Sequence, residues 1–494
     1  MKWILLGILL LGLFFRTYKL ADLMEYGHEQ DLQSWIVKDI LIDKHQRLIG
    51  QETSVTGVFI GSLYNYLEAI GYKIFNMDPI GGYVPLTIVS GATILSVYWV
   101  LKQLYGQRVG LVGSLIYSAS ISIVFLDRWM VPTQYTLLWV IWFYYVAVLF
   151  FRGKFTGLPI LIVLAGLVWH IHIAFIPLFI LPLGATIYWR KRAVEEFKLL
   201  NQRNIIISLG IALILLSPLF AFEARHGWQQ LKALTETLNR DVTVLKGSYR
   251  WEIVLWNTDR VLWAPISARF MHWDIHKMNL TVDFGYFSLF VLTAYILYTK
   301  KVLPKNDLLL VLLWIADVAI SQGLSLRPIS EYYFNNLLIV SMIILAIGIE
   351  YGLRSKLKWI IAILGILWII GSLKDTLIRT KTDGEYVDKK TLVEYLGQDY
   401  RNKGYHCAGV NFVGDLGSEY GYRYLIWKND VNQVAPGDGI PVYNVFVPSS
   451  RSIDPQMKKF GSLGIIPPDP TTNIDYSVCS NLDRKLYPLN GFVN

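Results

Sequence analysis

Charge is scarce in this chain: Asp, Glu, Lys and Arg make up 17% of the 494 residues, against roughly 25% in ordinary soluble domains. A simple water-soluble enzyme is excluded. Cysteine is scarcer still. Cys407 and Cys479 are the only two, and no CxxC pair occurs, so neither a disulfide scaffold nor a Cys-rich zinc site can be built. There is no Asp-x-Asp motif, no internal repeat and no low-complexity tract. What abounds is apolar: 54% of residues are hydrophobic before 38 glycines are counted, with 17 Trp and 30 Tyr. The net charge of +9 (46 − 37) then reads as membrane orientation rather than nucleic-acid binding.

A bilayer span needs about 20 mostly apolar residues, because lipid offers the backbone no hydrogen-bond partners. About eleven segments qualify, near 3–20, 80–101, 109–126, 133–151, 157–171, 173–189, 204–221, 284–299, 307–322, 334–350 and 358–373. Alternate loops hold the basic residues, among them Lys102/Arg108, Arg152/Lys154, Arg190/Lys191/Arg192, Lys300/Lys301 and Arg354/Lys356. These lie inside by the positive-inside rule. The rule predicts a cytoplasmic N-terminus, an external C-terminus and a multi-pass protein of the cell (inner) membrane. Residues 1–373 form the transmembrane domain, with long external loops at 21–79 and 222–283. Residues 374–494 regain charge, Gly and Pro; a helix at 388–402 and strands at CAGVNFV and PVYNVFVP suggest a small extracytoplasmic α/β or mixed domain. There Cys407 and Cys479 are either one disulfide or two buried thiols.

Ionisable groups tell transporter from enzyme. Apart from Asp317, the helices are nearly clean, and acids, cations and imidazoles gather at the external boundary. Transporters place them in mid-membrane; a reaction at one surface places them here. The first loop carries Glu29, Gln30 and Asp31, of which a carboxylate suits a general base, although acid-rich loops are most often solvated caps. Arg128 in FLDRWMVP is a phosphate fork or an interfacial anchor. His170 and His172 in WHIHIAFIP, spaced i, i+2, need a chain break between them to share a metal. Glu223, Arg225 and His226 after Pro218 form an internal ion pair or the wall of an anion site. Arg327, Glu331, Tyr332 and Tyr333 in LSLRPISEYYF are either site residues or interfacial aromatics.

Together these stretches, over residues 1–350, resemble the bacterial polytopic glycosyltransferases of the GT-C fold, the branch of protein O-mannosyltransferases and aminoarabinose transferases. E-Q-D-L-Q (Glu29–Gln33) is similar to that family's acidic D-Q-A-R-D motif, Lys38–Leu41 to its R-D-I-L, and Gly61–Leu67, including Tyr64, to its G-P-L-Y-Y-Y-L. Arg128–Pro132, Trp169–His172, Pro218–Gly227 and Glu331–Phe334 resemble its later turns in order. The sequence departs where the leading Asp is Glu29, where the second acid falls on Gln33 while Asp31 takes a non-acidic place, and where Tyr332 replaces a His.

The resemblance implies an all-α GT-C-like enzyme that moves a hexose or pentose from a polyprenyl-phosphate donor to a hydroxyl on a protein, lipid or polysaccharide, with inversion. Glu29 is the implied base and Asp31 the runner-up. Gln30, Tyr64, Arg128, His172, Glu223, Arg225, His226, Arg327, Tyr332 and Tyr333 would bind substrate. Some relatives use a divalent metal ion, for which Glu29 or Asp31 with a histidine offers ligands, though the spacing does not demand it. The rivals are a transporter or flippase for a lipid-linked sugar, and an assembly protein working through its tail.

Overall fold

The structure, a computed structural model, describes residues 2–53, 55–239, 248–267, 284–325, 329–379 and 384–469, with 475, 477 and 479. Helix α1 (Lys2–Thr17) leads to a layer at one end of the bundle: α2 (His28–Leu41), a hairpin of β1 (Ile49–Glu52) and β2 (Phe59–Gly61), and α3 (Leu63–Ile74). The helical bundle continues with α4 (Tyr83–Tyr105), α5 (Gln107–Ala119), α6 (Ile121–Arg128), α7 (Thr136–Phe151), α8 (Leu158–Ile171), α9 (Ile180–Tyr188), α10 (Arg190–Lys198) and α11 (Gln202–Arg225). After α12 (Gln229–Asn239) and α13 (Ser248–Trp263) come α14 (Phe284–Thr299), α15 (Lys305–Leu324), α16 (Asn336–Leu353) and α17 (Lys358–Ile378). Among the described residues, six helices are long and apolar enough to cross a membrane, or up to eight if each of two bent pairs is one span. Helices α8 and α14 are shorter, and α1 has 16 residues. This is an integral membrane protein, and its bundle is lined by large apolar side chains such as Trp139, Phe143 and Trp314.

One span expected to be continuous is broken. Between α5 and α6 the axis turns by 62° at Ser120, whose hydroxyl caps the Ile123 N–H. A break frees carbonyls, and in lipid they need donors. Arg16 supplies them. Its guanidinium donates to the Tyr117 and Ser118 carbonyls at 3.1 and 3.2 Å, and to Gly12 at 2.9 Å. It also pairs with Asp127 at 2.6 Å, and the Tyr117 hydroxyl donates to the same carboxylate at 3.0 Å. The guanidinium, the Asp127 carboxylate and the freed carbonyls are thus matched to one another, so α1, α5 and α6 are locked together at one level.

The tail folds around a mixed five-stranded sheet. After α18 (Tyr386–Asn402) come β3 (Ala408–Gly414), α19 (Arg423–Lys428), β4 (Gln433–Val434), β5 (Val442–Val447), β6 (Lys458–Phe460) and β7 (Leu463–Ile466). The order is β4-β3-β5-β7-β6, with β3 parallel to β4 and β5 and the rest antiparallel. Parallel neighbours need crossovers, and α19 occupies the one between β3 and β4. Cys407 and Cys479 form a disulfide. The tail is pinned to the layer of α2 and α3 through Asp78, which accepts from Lys390 at 2.7 Å, Lys428 at 3.4 Å and the Tyr386 hydroxyl. Burial opposes the Asp78 charge, but those donors and the Ile80 N–H hold its carboxyl below the ordinary range.

Replacing one partner of a buried ion pair leaves the other uncompensated, at a cost of about 3–5 kcal/mol. Asp127→Ala is therefore expected to lower the midpoint of thermal unfolding in detergent sharply, and the doubly apolar Arg16→Met/Asp127→Leu to recover most of the loss. An unshifted midpoint in Asp127→Ala would show that the knot contributes little.

Candidate functional site

The site begins with the first turn of α2, where three successive polar side chains are forced apart. Each residue advances about 100° around a helix, so Glu29, Gln30 and Asp31 cannot share a direction. Gln30 turns back, and its Oε1 accepts the Gly27 N–H at 3.0 Å, closing the helix start. Asp31 is buried and faces the tail: its carboxylate accepts the Tyr424 N–H at 3.0 Å and the Arg423 N–H at 3.3 Å, capping α19. Burial pushes its carboxyl up to about 6 against those bonds. Glu29 takes the remaining direction. It is exposed, and among the described residues nothing donates a hydrogen bond to it. Partial desolvation and then the charge of Glu331 raise its carboxyl above the ordinary range.

The helix that carries Glu29 is firmly held. Ser34 Oγ donates to the Gln30 carbonyl at 2.7 Å and meets the hydroxyls of Tyr26 and Tyr72 at 2.8 and 2.7 Å. Arg47 pairs with Asp39 at the far end, and the His28 ring packs on Tyr420 of the tail at 4.7 Å.

Opposite Glu29 stands the short 3-10 turn Glu331–Phe334. Glu29 lies within electrostatic reach of Tyr332 on this turn and of Tyr64 on α3. The rings of Tyr332 and Tyr333 lie 4.6 Å apart, and His172 packs against both at 5.4 and 5.1 Å. His172 occupies the break between the expected spans 157–171 and 173–189, in extended backbone with φ −167°. Its Nδ1 accepts the Ala174 N–H at 3.0 Å, so the ring is neutral with its proton on Nε2. His170 does a different job. Its Nδ1 accepts the Leu63 N–H at 3.2 Å and its Nε2 meets the Leu215 carbonyl at 2.7 Å, tying the first loop to α8 and α11. Gly61 beside it has no room for a side chain: a Cβ would lie 2.1 Å from the imidazole.

Two residues of this region belong to none of the motifs above. Arg260 on α13 stacks on Trp256 at 4.6 Å, and its charge draws down the carboxyl of Glu331, which burial raises. The signal was the polar run Asn257-Thr258-Asp259-Arg260 inside an aromatic helix. Glu68 on α3 is fully buried, and neither of its oxygens is hydrogen-bonded. Gly82 leaves it space, since a Cβ there would sit 2.3 Å from Oε2. Burial drives the Glu68 carboxyl far upward, favouring its neutral form. Nearby, Tyr64 and Tyr135 pack at 5.6 Å and line a cavity of about 570 Å³, otherwise walled by side chains such as Trp139, Leu164, Leu167 and Pro159.

The other expected residues stand apart. Arg128 donates to the Phe15, Tyr18 and Lys19 carbonyls at 3.3, 3.0 and 3.4 Å, closing the end of α1. Glu223 accepts the Gln230 and Leu231 N–H groups at 3.2 and 3.4 Å, capping α12. His226 stacks on Phe222 at 4.1 Å, and Arg225 is exposed. Among the described residues, no hydrogen bond, ion pair or ring contact joins these four to Glu29. Arg327 lies outside the described residues. Among the described residues no three of His, Cys, Asp and Glu gather to hold a metal. With Asp31 and His172 Nδ1 already engaged, the set does not fit a metal centre, and no step below runs through one.

No protein-family profile matches the sequence, and neither does any curated protein sequence. Among solved structures, the chain is similar to ArnT from Cupriavidus metallidurans bound to undecaprenyl phosphate, at 11% identity and a TM-score of 0.58, over 95% of this chain and 99% of that one. The apo state of the same protein aligns over 94% and 98%, at 10% identity and a TM-score of 0.54. An oligosaccharyltransferase from Archaeoglobus fulgidus, in complex with Zn and sulfate, aligns over 86% of this chain and 61% of its own at 13% identity and a TM-score of 0.42. Agreement with ArnT over nearly the full length of both chains gives the architecture its name: this chain has the GT-C fold.

Proposed function

We propose that the chain is a glycosyltransferase that moves a sugar from a polyprenyl-phosphate donor to a hydroxyl acceptor outside the cell membrane, with inversion. The observation that carries this reading is the meeting of Glu29, Glu331, Tyr332, His172 and Arg260 at the mouth of the bundle, in a fold shared with a protein solved bound to undecaprenyl phosphate. In this reading the eleven apolar helices all span, the N-terminus is cytoplasmic, and residues 374–494 form the extracytoplasmic domain above the 1–373 bundle.

Glu29 is the base. It takes the proton of the acceptor hydroxyl as that oxygen bonds to the anomeric carbon, while the carbon–oxygen bond to the phosphate breaks and its electron pair leaves with the lipid phosphate. One carboxylate suffices, because direct displacement needs no glycosyl-enzyme. Asp31 serves by holding α2 to the tail. The negative charge that grows on the departing phosphate is met by Arg260 and by the Nε2–H of His172, with the Tyr332 hydroxyl at hand. Arg260 thereby takes the part first given to Arg128, whose donors are consumed by α1; Arg225 and Arg327 are candidates for an outer contact with the same phosphate. The apolar cavity beside Tyr64 and Tyr135 is suited to the prenyl chain. The acceptor is a protein, lipid or polysaccharide hydroxyl, and the sugar a hexose or pentose.

Glu29→Gln is expected to lower transfer by about 1,000-fold while binding of undecaprenyl phosphate is retained; near-parental release of lipid phosphate from a labelled donor would remove Glu29 from the role. The same assay separates enzyme from flippase, since a flippase releases none. Arg260→Ala should weaken use of the donor about 10–100-fold with acceptor dependence unchanged, and Arg260→Lys should recover part of it, because a fork and a point charge hold phosphate unequally. An unaltered donor dependence would place the phosphate elsewhere.

A further inference from the structure

Far from Glu29, on the face that carries Arg152 and Lys154, the chain makes a sharp corner. Between the stretch that ends in α9 and helix α10 the axis turns by 93°. If α9 runs across the bilayer, α10 lies flat along its surface. Its amphipathic sequence, RKRAVEEFK, suits that place. The helix is docked rather than loose. The Trp189 indole donates to the Phe151 carbonyl at 3.1 Å, the Phe197 ring packs on Phe155 at 5.2 Å, and Ala193 is buried. Gly153, at φ +70°, gives the close approach, since a Cβ there would meet Trp189 and Arg192 at 3.3 Å.

What the docked helix shows to the outside is cationic. Arg190, Lys191, Arg192 and Lys198 on α10 and Arg203 in the first turn of α11 are all exposed. Among the described residues none of these cations forms an ion pair, although Glu195 and Glu196 stand on the same helix. Interleaved with them are apolar side chains that no protein covers: Tyr188 is 78% exposed, Val194 56% and Leu199 82%. A water-facing loop would expose the charges without the apolar set, and a protein-facing one would pair the charges. The combination fits an interface where headgroups are negative and hydrocarbon lies just beneath. The N-terminus of α11 adds its own partial positive charge at the same level.

We infer that α10 and the first turn of α11 form a binding site for anionic phospholipid, with the five cations on the headgroup phosphates and Tyr188, Val194 and Leu199 in the acyl layer. The site does not depend on the transfer chemistry. It bears on the bundle because α11 packs along α8, and Ser208 of α11 meets the 570 Å³ cavity that α8 largely walls.

The test uses the full chain in detergent, titrated with phosphatidylglycerol or phosphatidylcholine and read by native mass spectrometry. Each cation near a membrane surface contributes about fivefold in affinity. The combined change Arg190→Gln/Lys191→Gln/Arg192→Gln/Lys198→Gln is thus expected to weaken phosphatidylglycerol binding at least about 100-fold and leave phosphatidylcholine binding unchanged. Arg190→Lys/Arg192→Lys should keep the affinity, and 0.5 M salt should loosen the parent's lipid. Parental phosphatidylglycerol binding in the four-fold variant overturns the assignment, as does equal binding of the two lipids by the parent. Should the four-fold variant not fold, Lys191→Gln and Lys198→Gln alone decide, with about fivefold losses expected and unchanged affinities contradicting it.

Discussion

Everything around Glu29 hangs on the angular step of one helical turn. Because neighbouring residues of a helix point about 100° apart, the run Glu29-Gln30-Asp31 at the start of α2 is divided among three tasks. Gln30 closes the helix on Gly27, and Asp31 caps α19 of the tail. Glu29 alone is left facing Glu331 and the aromatic turn that bears Tyr332. Had the two acids stood three or four residues apart, they would have shared a face, and neither would be fixed by the other's bond. Here the buried carboxylate anchors the helix and the exposed one is thereby aimed.

The same economy governs the other charges near the membrane boundary. A broken or finished helix leaves carbonyls or N–H groups without partners, and the bundle meets them with ionic side chains. Arg16 fills the break at Ser120, Arg128 closes α1, and Glu223 caps α12. On the opposite face, Arg152 grips Asp307 at 2.9 and 2.5 Å with Tyr105 donating to the same carboxylate at 2.8 Å, joining the end of α7 to the start of α15. Charge at a helix end is thus mostly structural in this protein. The group around Glu29 differs because its carboxylates are near one another and only partly offset by Arg260, a costly arrangement that structure alone does not require.

Much of this was legible in the sequence, for physical reasons that can be named. Long apolar runs have few alternatives to a helix in lipid, so most expected spans coincide with helices, although 109–126 bends at Ser120 and 173–189 opens as a 3-10 turn, and the tail's helix starts at Tyr386 against an expected 388. The strands CAGVNFV and PVYNVFVP follow from β-branched alternation and form β3 and β5. The break at His172 was legible because one apolar run ends at 171 and the next begins at 173. The bend at Ser120 was not, because a serine-rich apolar run reads as helix until the carbonyls it frees are counted against Arg16. Nor could periodicity tell which of Glu29 and Asp31 is engaged, since the partner of Asp31 lies some 390 residues away in the tail. Arg260 was missed for the same reason: its meaning comes from Glu331, brought to it by the packing of α13 on the 3-10 turn.

If Glu29 is the base, its proton affinity is raised first by desolvation and then, beyond that, by its neighbour Glu331. The pH dependence of transfer in Glu331→Gln examines that coupling. Removing a negative charge beside Glu29 eases its ionisation, so the acid limb of the rate profile should move to lower pH while the plateau rate at higher pH is kept. An acid limb that stays in place with Glu331 neutralised would contradict the account.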